Sequence, residues 1–87
     1  MTNVNATVTE VAPLGGASNG GFKVGYLNSA AKAAQGDTVT VTNADGVEFA
    51  LLTLDASGAH EPNTVSTNVI TLPTASNGNV SGFVYYR

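Results

Sequence analysis

The stretch GDTVTVTNADGVEFALLTLD, residues 36–55, decides the reading of the fold. Its first half alternates Thr and Val, as expected of a strand with one buried face. After Asp45-Gly46 nearly every residue is apolar, as expected of a strand covered on both sides. Asp-Gly between two such runs is a strong signal for a tight turn. The stretch therefore predicts a β-hairpin in which Thr42 pairs with Phe49, Val41 with Ala50, Thr40 with Leu51, Val39 with Leu52 and Thr38 with Thr53.

Paired residues share a face. Val39, Val41, Ala50, Leu52 and Leu54 then form a core face. Thr38, Thr40, Thr42, Phe49, Leu51 and Thr53 form the other, too apolar for water and too polar for a closed core. A loop of the same chain (the segment Pro13 to Gly21 is long enough), a second sheet or a neighbouring subunit could cover it. These six residues are the candidate interface.

Outward from the hairpin the dominant period stays at two. Strands are predicted over Asn5 to Ala12, Gly21 to Asn28, Thr38 to Thr42, Val47 to Asp55, Thr64 to Ser66, Val69 to Leu72 and Val80 to Tyr86, separated by Gly/Asn/Ser/Pro clusters. The prediction is a single all-β domain over residues 1–87, a small antiparallel β-sandwich or barrel of about six to seven short strands. SAAKAAQ, residues 29–35, reads equally as a short helical turn, since Ala favours helix and Gly36 could end it, or as an irregular loop, and neither changes the fold class. ASNG occurs at 17–20 and again at 75–78, each time before a Gly-Phe pair. A duplication and two unrelated Asn-Gly turns both explain it.

Composition narrows the function. Three cations, Lys23, Lys32 and Arg87, stand against six acids for a net charge of −3. Counterion release from phosphates needs a basic stripe, which these cannot supply, so neither nucleic acid nor an anionic membrane is an expected partner. No cysteine is present, so neither disulfides nor thiolate metal sites can staple this small domain. The surface must consist largely of Thr, Ser, Asn and Gly, which suits packing against other protein. MTNVNATVTEVAPL lacks the basic and apolar sections of a signal peptide. No apolar run approaches the roughly 20 residues of a membrane helix.

Residues for chemistry are few. His60 and Glu61 lie in HEPN, expected as a solvent-facing loop, and the HExxH spacing is not met. Asp37, Asp45 and Asp55 mark strand ends, without the convergent oxygens of a DxDxDG calcium loop. GASNGG is followed by no lysine of a phosphate loop. Tyr85 and Tyr86 could stack on a sugar or base, but successive strand residues face opposite ways. No catalytic, cofactor or metal residue is assigned, and no enzyme is expected.

The strings NATVTEVAPLGGASNGGFKVGYLN, GDTVTVT and VITLPTASNGNVSGFVYYR together resemble small β-rich virion proteins of tailed bacterial and archaeal viruses. The resemblance covers most of the chain and rests on strand-and-turn strings, so no site residue transfers. It implies a capsid decoration (cement) protein located in the virion and synthesised in the host cytoplasm. The major capsid protein or another virion protein would be its partner, and a homo-oligomer, with a trimer favoured, its assembly state. A tail, fibre or baseplate component and a small carbohydrate- or ligand-binding β module are the alternatives.

Overall fold

The computed structural model describes residues 2–13 and 22–87. Among the described residues nine strands make two sheets. They are β1 (Asn3–Ala6), β2 (Val8–Pro13), β3 (Lys23–Lys32), β4 (Asp37–Val41), β5 (Val47–Leu54), β6 (His60–Glu61), β7 (Thr64–Ser66), β8 (Val69–Leu72) and β9 (Gly78–Tyr86). The four-stranded sheet runs β1-β4-β8-β7 and the five-stranded sheet β2-β3-β9-β5-β6. The all-β sandwich is as the sequence predicts, with one parallel pair, β1 beside β4, among otherwise antiparallel neighbours.

The predicted hairpin does not form. β4 pairs with β1 and β8, whereas β5 pairs with β9 and β6 in the opposite sheet. The chain turns at 41–44, where the Ala44 amide donates to the Val41 carbonyl at 3.3 Å, and residues 42–46 cross between layers instead of closing a hairpin. Asn43 serves as a partner for the crossing N-terminal segment: its Oδ1 accepts from the Val8 amide at 3.0 Å and its Nδ2 donates to the Val8 carbonyl at 2.8 Å. Gly46 exchanges backbone hydrogen bonds with Arg87 at the end of β9, and the Val47 amide donates to Thr67. The expected core face is nonetheless buried. Val39 and Val41 point inward from one sheet, Ala50 and Leu52 from the other, and Leu54 packs half-buried beside them. The same alternation arises from two strands side by side or facing each other across a core, because period two fixes the buried side and not the neighbour.

The rest of the core follows this rule. Ile70 and Leu72 of β8 join Val39 and Val41; Val8, Leu27, Val80, Val84 and Tyr86 line the facing sheet. The predicted first strand proves to be two strands in different sheets, joined at Thr7. The helical turn at 29–35 is also corrected. Residues 30–32 continue β3, with Ala30 opposite Val80 and Lys32 opposite Gly78. Tertiary pairing with β9 outweighs the modest helix preference of alanine. A bulge at Asn28 and Ser29, where Ser29 has φ 55°, shifts the phase so that Ala30 and Lys32 point inward. Of the paired ASNG strings, 17–20 lies outside the described residues. Asn77-Gly78 leads from β8 into β9 of the other sheet rather than closing a hairpin. The proposed covering segment at 14–21 also lies outside the described residues.

Close packing fixes the register at two glycines. A Cβ on Gly82 would lie 1.9 Å from the Leu51 carbonyl oxygen. One on Gly25 would lie 2.7 Å from the Tyr86 ring and 3.0 Å from the Val8 Cβ.

Candidate functional site

The candidate interface divides between the two outer faces of the sandwich. Thr38, Thr40 and Thr42 lie on the outer side of the four-stranded sheet; Phe49, Leu51 and Thr53 lie on the outer side of the five-stranded sheet. The hairpin reading placed them together only because it made the two strands coplanar.

The threonine half is occupied with its own sheet. Asn3 Oδ1 accepts from the Thr38 and Thr40 hydroxyls, each at 2.8 Å. Asn3 Nδ2 donates to Asn5 Oδ1, and the Thr42 hydroxyl donates to the Ala6 carbonyl. This polar ladder secures the parallel β1–β4 pair.

The apolar half belongs to a larger surface. The ladder aligns Tyr26 of β3, Phe83 of β9 and Leu51 of β5 in one row. Two residues further along, Val24, Tyr85 and Phe49 make a second row on the same side. Tyr26 meets Phe83 edge to face, with centroids 5.5 Å apart and planes at 70°. Phe49 stacks on Tyr85 at 4.4 Å and 22°. Leu51 is 58% exposed, Phe83 51%, Phe49 43% and Tyr26 38%. No Lys, Arg, Asp or Glu occurs in either row. The surface continues into a hollow beside β6 bounded by Phe49, Leu51, His60, Pro62 and Asn63.

Sequence reasoning found Phe49 and Leu51 but missed Tyr26 and Phe83 as their neighbours. GFKVGYLN and SGFVYY did show which residues alternate; which strand each lies beside is a property of the topology. Of the final tyrosine pair, Tyr85 lies outside and Tyr86 is buried beneath β3 and β5. Burial pushes the Tyr86 phenol above its usual pKa, and the Glu10 charge adds to this.

The HEPN loop is corrected too. His60 and Glu61 form β6 against Thr53 and Leu52. His60 faces solvent, while Glu61 is 1% exposed. Asp37, read as a strand entry, is a buried anchor whose carboxylate accepts from the Thr2, Ala33 and Ala34 amides at 2.7, 2.9 and 3.0 Å. The Thr2 amide and then the Ala33 amide hold its pKa below the usual aspartate range. Asp55 is lowered by the Ser29 hydroxyl first and then by that of Ser81. Among the described residues no group of three or more His, Cys, Asp or Glu converges as a metal site, and no helix is long and apolar enough to cross a membrane. Comparison with protein-family models, curated proteins and solved structures found no match.

Proposed function

We propose that this chain is a non-enzymatic structural protein of a viral particle, a capsid decoration protein that grips the shell through the outer face of its five-stranded sheet. The observation that carries the reading is the uncharged aromatic surface of Tyr26, Phe83, Leu51 and Phe49 on a protein with a net charge of −3 and few charged groups. With about 200 Å² per large side chain, these four expose roughly 380 Å². That matches the largest apolar patches that monomers normally show, about 300–600 Å² and often functional. It is about half of the roughly 800 Å² per partner of a stable one-to-one complex. Such a contact is weak singly and strong when repeated, which suits a partner presented in many copies on a lattice. The proposed partner is the major capsid protein or another virion protein, and its contact surface would be apolar and neutral.

Mass spectrometry of purified particles tests the reading, with absence from the virion ending it. In particles that contain the protein, Phe83→Asp is expected to prevent incorporation while leaving the soluble fold intact. A homo-oligomer, with a trimer favoured, belongs to the same proposal, and light scattering reports the subunit count.

The exposed aromatic cluster also satisfies one requirement of a carbohydrate-binding module. Here, however, Tyr26 and Phe83 stand at 70° to each other, and Phe49 and Tyr85 cover each other's faces. A sugar platform needs open ring faces. Glycan binding lost on Tyr26→Ala would reverse this preference; Tyr86→Ala would test folding instead.

A further inference from the structure

The five-stranded sheet encloses a sealed cluster of reactive groups that the docking surface does not use. Lys32, the last residue of β3, and Glu61, on the edge strand β6, meet in the interior with side chains 0% and 1% exposed. Lys32 Nζ lies 2.8 Å from Glu61 Oε2. It also donates to the Thr74 carbonyl at 2.6 Å, to the Thr74 hydroxyl at 2.9 Å and to the Ser76 carbonyl. The Thr74 hydroxyl in turn donates to Glu61 Oε1 at 2.7 Å. Two carbonyls and one hydroxyl thus take the three protons of the ammonium. Glu61 Oε2 has the nitrogen beside it but accepts no hydrogen bond of proper geometry.

We propose that Lys32 and Glu61 condense to an intramolecular isopeptide bond, with Thr74 as the proton relay. A proton passes from Nζ to Thr74 Oγ1 as the Thr74 hydroxyl proton passes to Glu61 Oε1. This leaves a neutral amine beside a neutral carboxylic acid. The exchange cancels two charges that burial has stripped of water, which is what favours ionic forms in solution. The amine turns about its Cε–Nζ bond and its lone pair attacks Cδ, one bond behind Oε2. The N–C bond forms, and a second proton follows the Thr74 path from nitrogen to Oε1. The Cδ–Oε1 bond then breaks, one water leaves, and the amide keeps one N–H with Oε2 as its carbonyl. No oxidant, metal or further reactant is needed. Intramolecular reactions between well-oriented groups reach effective concentrations of about 10⁵ M and above.

The bond would secure a weak point in the fold. β6 is joined to its sheet through only Leu52↔Glu61 and Thr53↔His60. The bond would tie this short edge to β3 on the far side of β9 and β5. It would do for a chain without cysteines what a disulfide does elsewhere.

Intact mass measurement of the purified, denatured full-length chain tests the proposal. The wild type is expected to be lighter than its translated sequence by one water. A digest with trypsin and Glu-C is expected to show no cleavage after Lys32 and a branched peptide joining residues 24–48 to residues 49–87. Lys32→Arg keeps the ion pair but cannot condense in this way, so its mass is expected to equal its translated sequence. Thr74→Val is expected to slow condensation by about a hundredfold, comparable to losing a key catalytic hydrogen-bonding group. A wild type at full mass after prolonged incubation overturns the proposal. So does a water loss that persists in Lys32→Arg, since a succinimide at Asp45-Gly46 has the same mass. None of these outcomes depends on particle binding.

Discussion

Leu51 and Leu52 are chemically identical neighbours on opposite sides of one sheet, and substituting them separately tests both the fold and the docking face. Leu52 is 0% exposed and lies in the core with Val80 and Val84, whereas Leu51 is 58% exposed. Leu52→Ala loses the transfer energy of its buried methyls and leaves a cavity, a cost of about 2–5 kcal/mol. At about 4–8 °C per kcal/mol for a domain of this size, Tm should fall by roughly 8–40 °C. Leu51→Asp removes a side chain already more than half in water and introduces a poor strand former, for a cost of about 1 kcal/mol. Urea unfolding followed by far-UV circular dichroism gives both numbers. The same Leu51→Asp protein should fail to bind the particle. If Leu51→Asp destabilised the isolated chain as much as Leu52→Ala, the outer face would belong to an intrachain core. The docking proposal would then fall.

Three further outcomes follow from the packing and charges. Gly82→Ala drives a methyl into the Leu51 carbonyl and should cost about 3 kcal/mol or more; a loss below about 1 kcal/mol in denaturant unfolding would sink the β5–β9 register. Gly25→Ala should be milder, since the Tyr86 ring it meets can shift; its Tm should lie between those of wild type and Gly82→Ala. Asp37 has a lowered pKa in the folded state, so its stabilisation is fully present above the ordinary aspartate range and is lost as pH falls through the folded value. The stability gap between wild type and Asp37→Asn should therefore be widest near neutral pH and close under acid, as read by thermal melts across pH. A gap independent of pH would remove the carboxylate from the account.

The alternation of TVTVT and the apolar run after Gly46 made the buried side of each strand legible, and Val39, Val41, Ala50 and Leu52 are where that reading puts them. Partner choice was not legible. Asn43, Asp45 and Gly46 look like a turn, yet Asn43 serves Val8 and Gly46 serves Arg87, both distant along the chain. The aromatic face was legible by halves for the same reason: Phe49 and Leu51 lie within one string, whereas Tyr26 and Phe83 reach them only through β9. Lys32 and Glu61 were hidden more deeply. A bulge at Ser29 moved Lys32 inward, and the two-residue β6 that buries Glu61 is too short for periodicity to detect. The usable clue was scarcity. In a chain with three cations and no cysteine, each charged residue carries unusual weight.

The position of β9 sets the order of events when the chain is made. Residues 78–86 fill the middle of the five-stranded sheet, between β3 and β5, which touch each other nowhere in the ladder. While residue 86 is still inside the ribosome, β3 and β5 have no common neighbour and their apolar sides have no completed layer to enter. Pairings between such remote segments also close slowly. A nascent chain stalled before residue 78 would display Leu27, Ala50 and Leu52 together, making it a target for chaperones and proteases. Quality control would thus fall on chains that still lack β9, and products shortened before it would be cleared rather than accumulate as partly folded competitors.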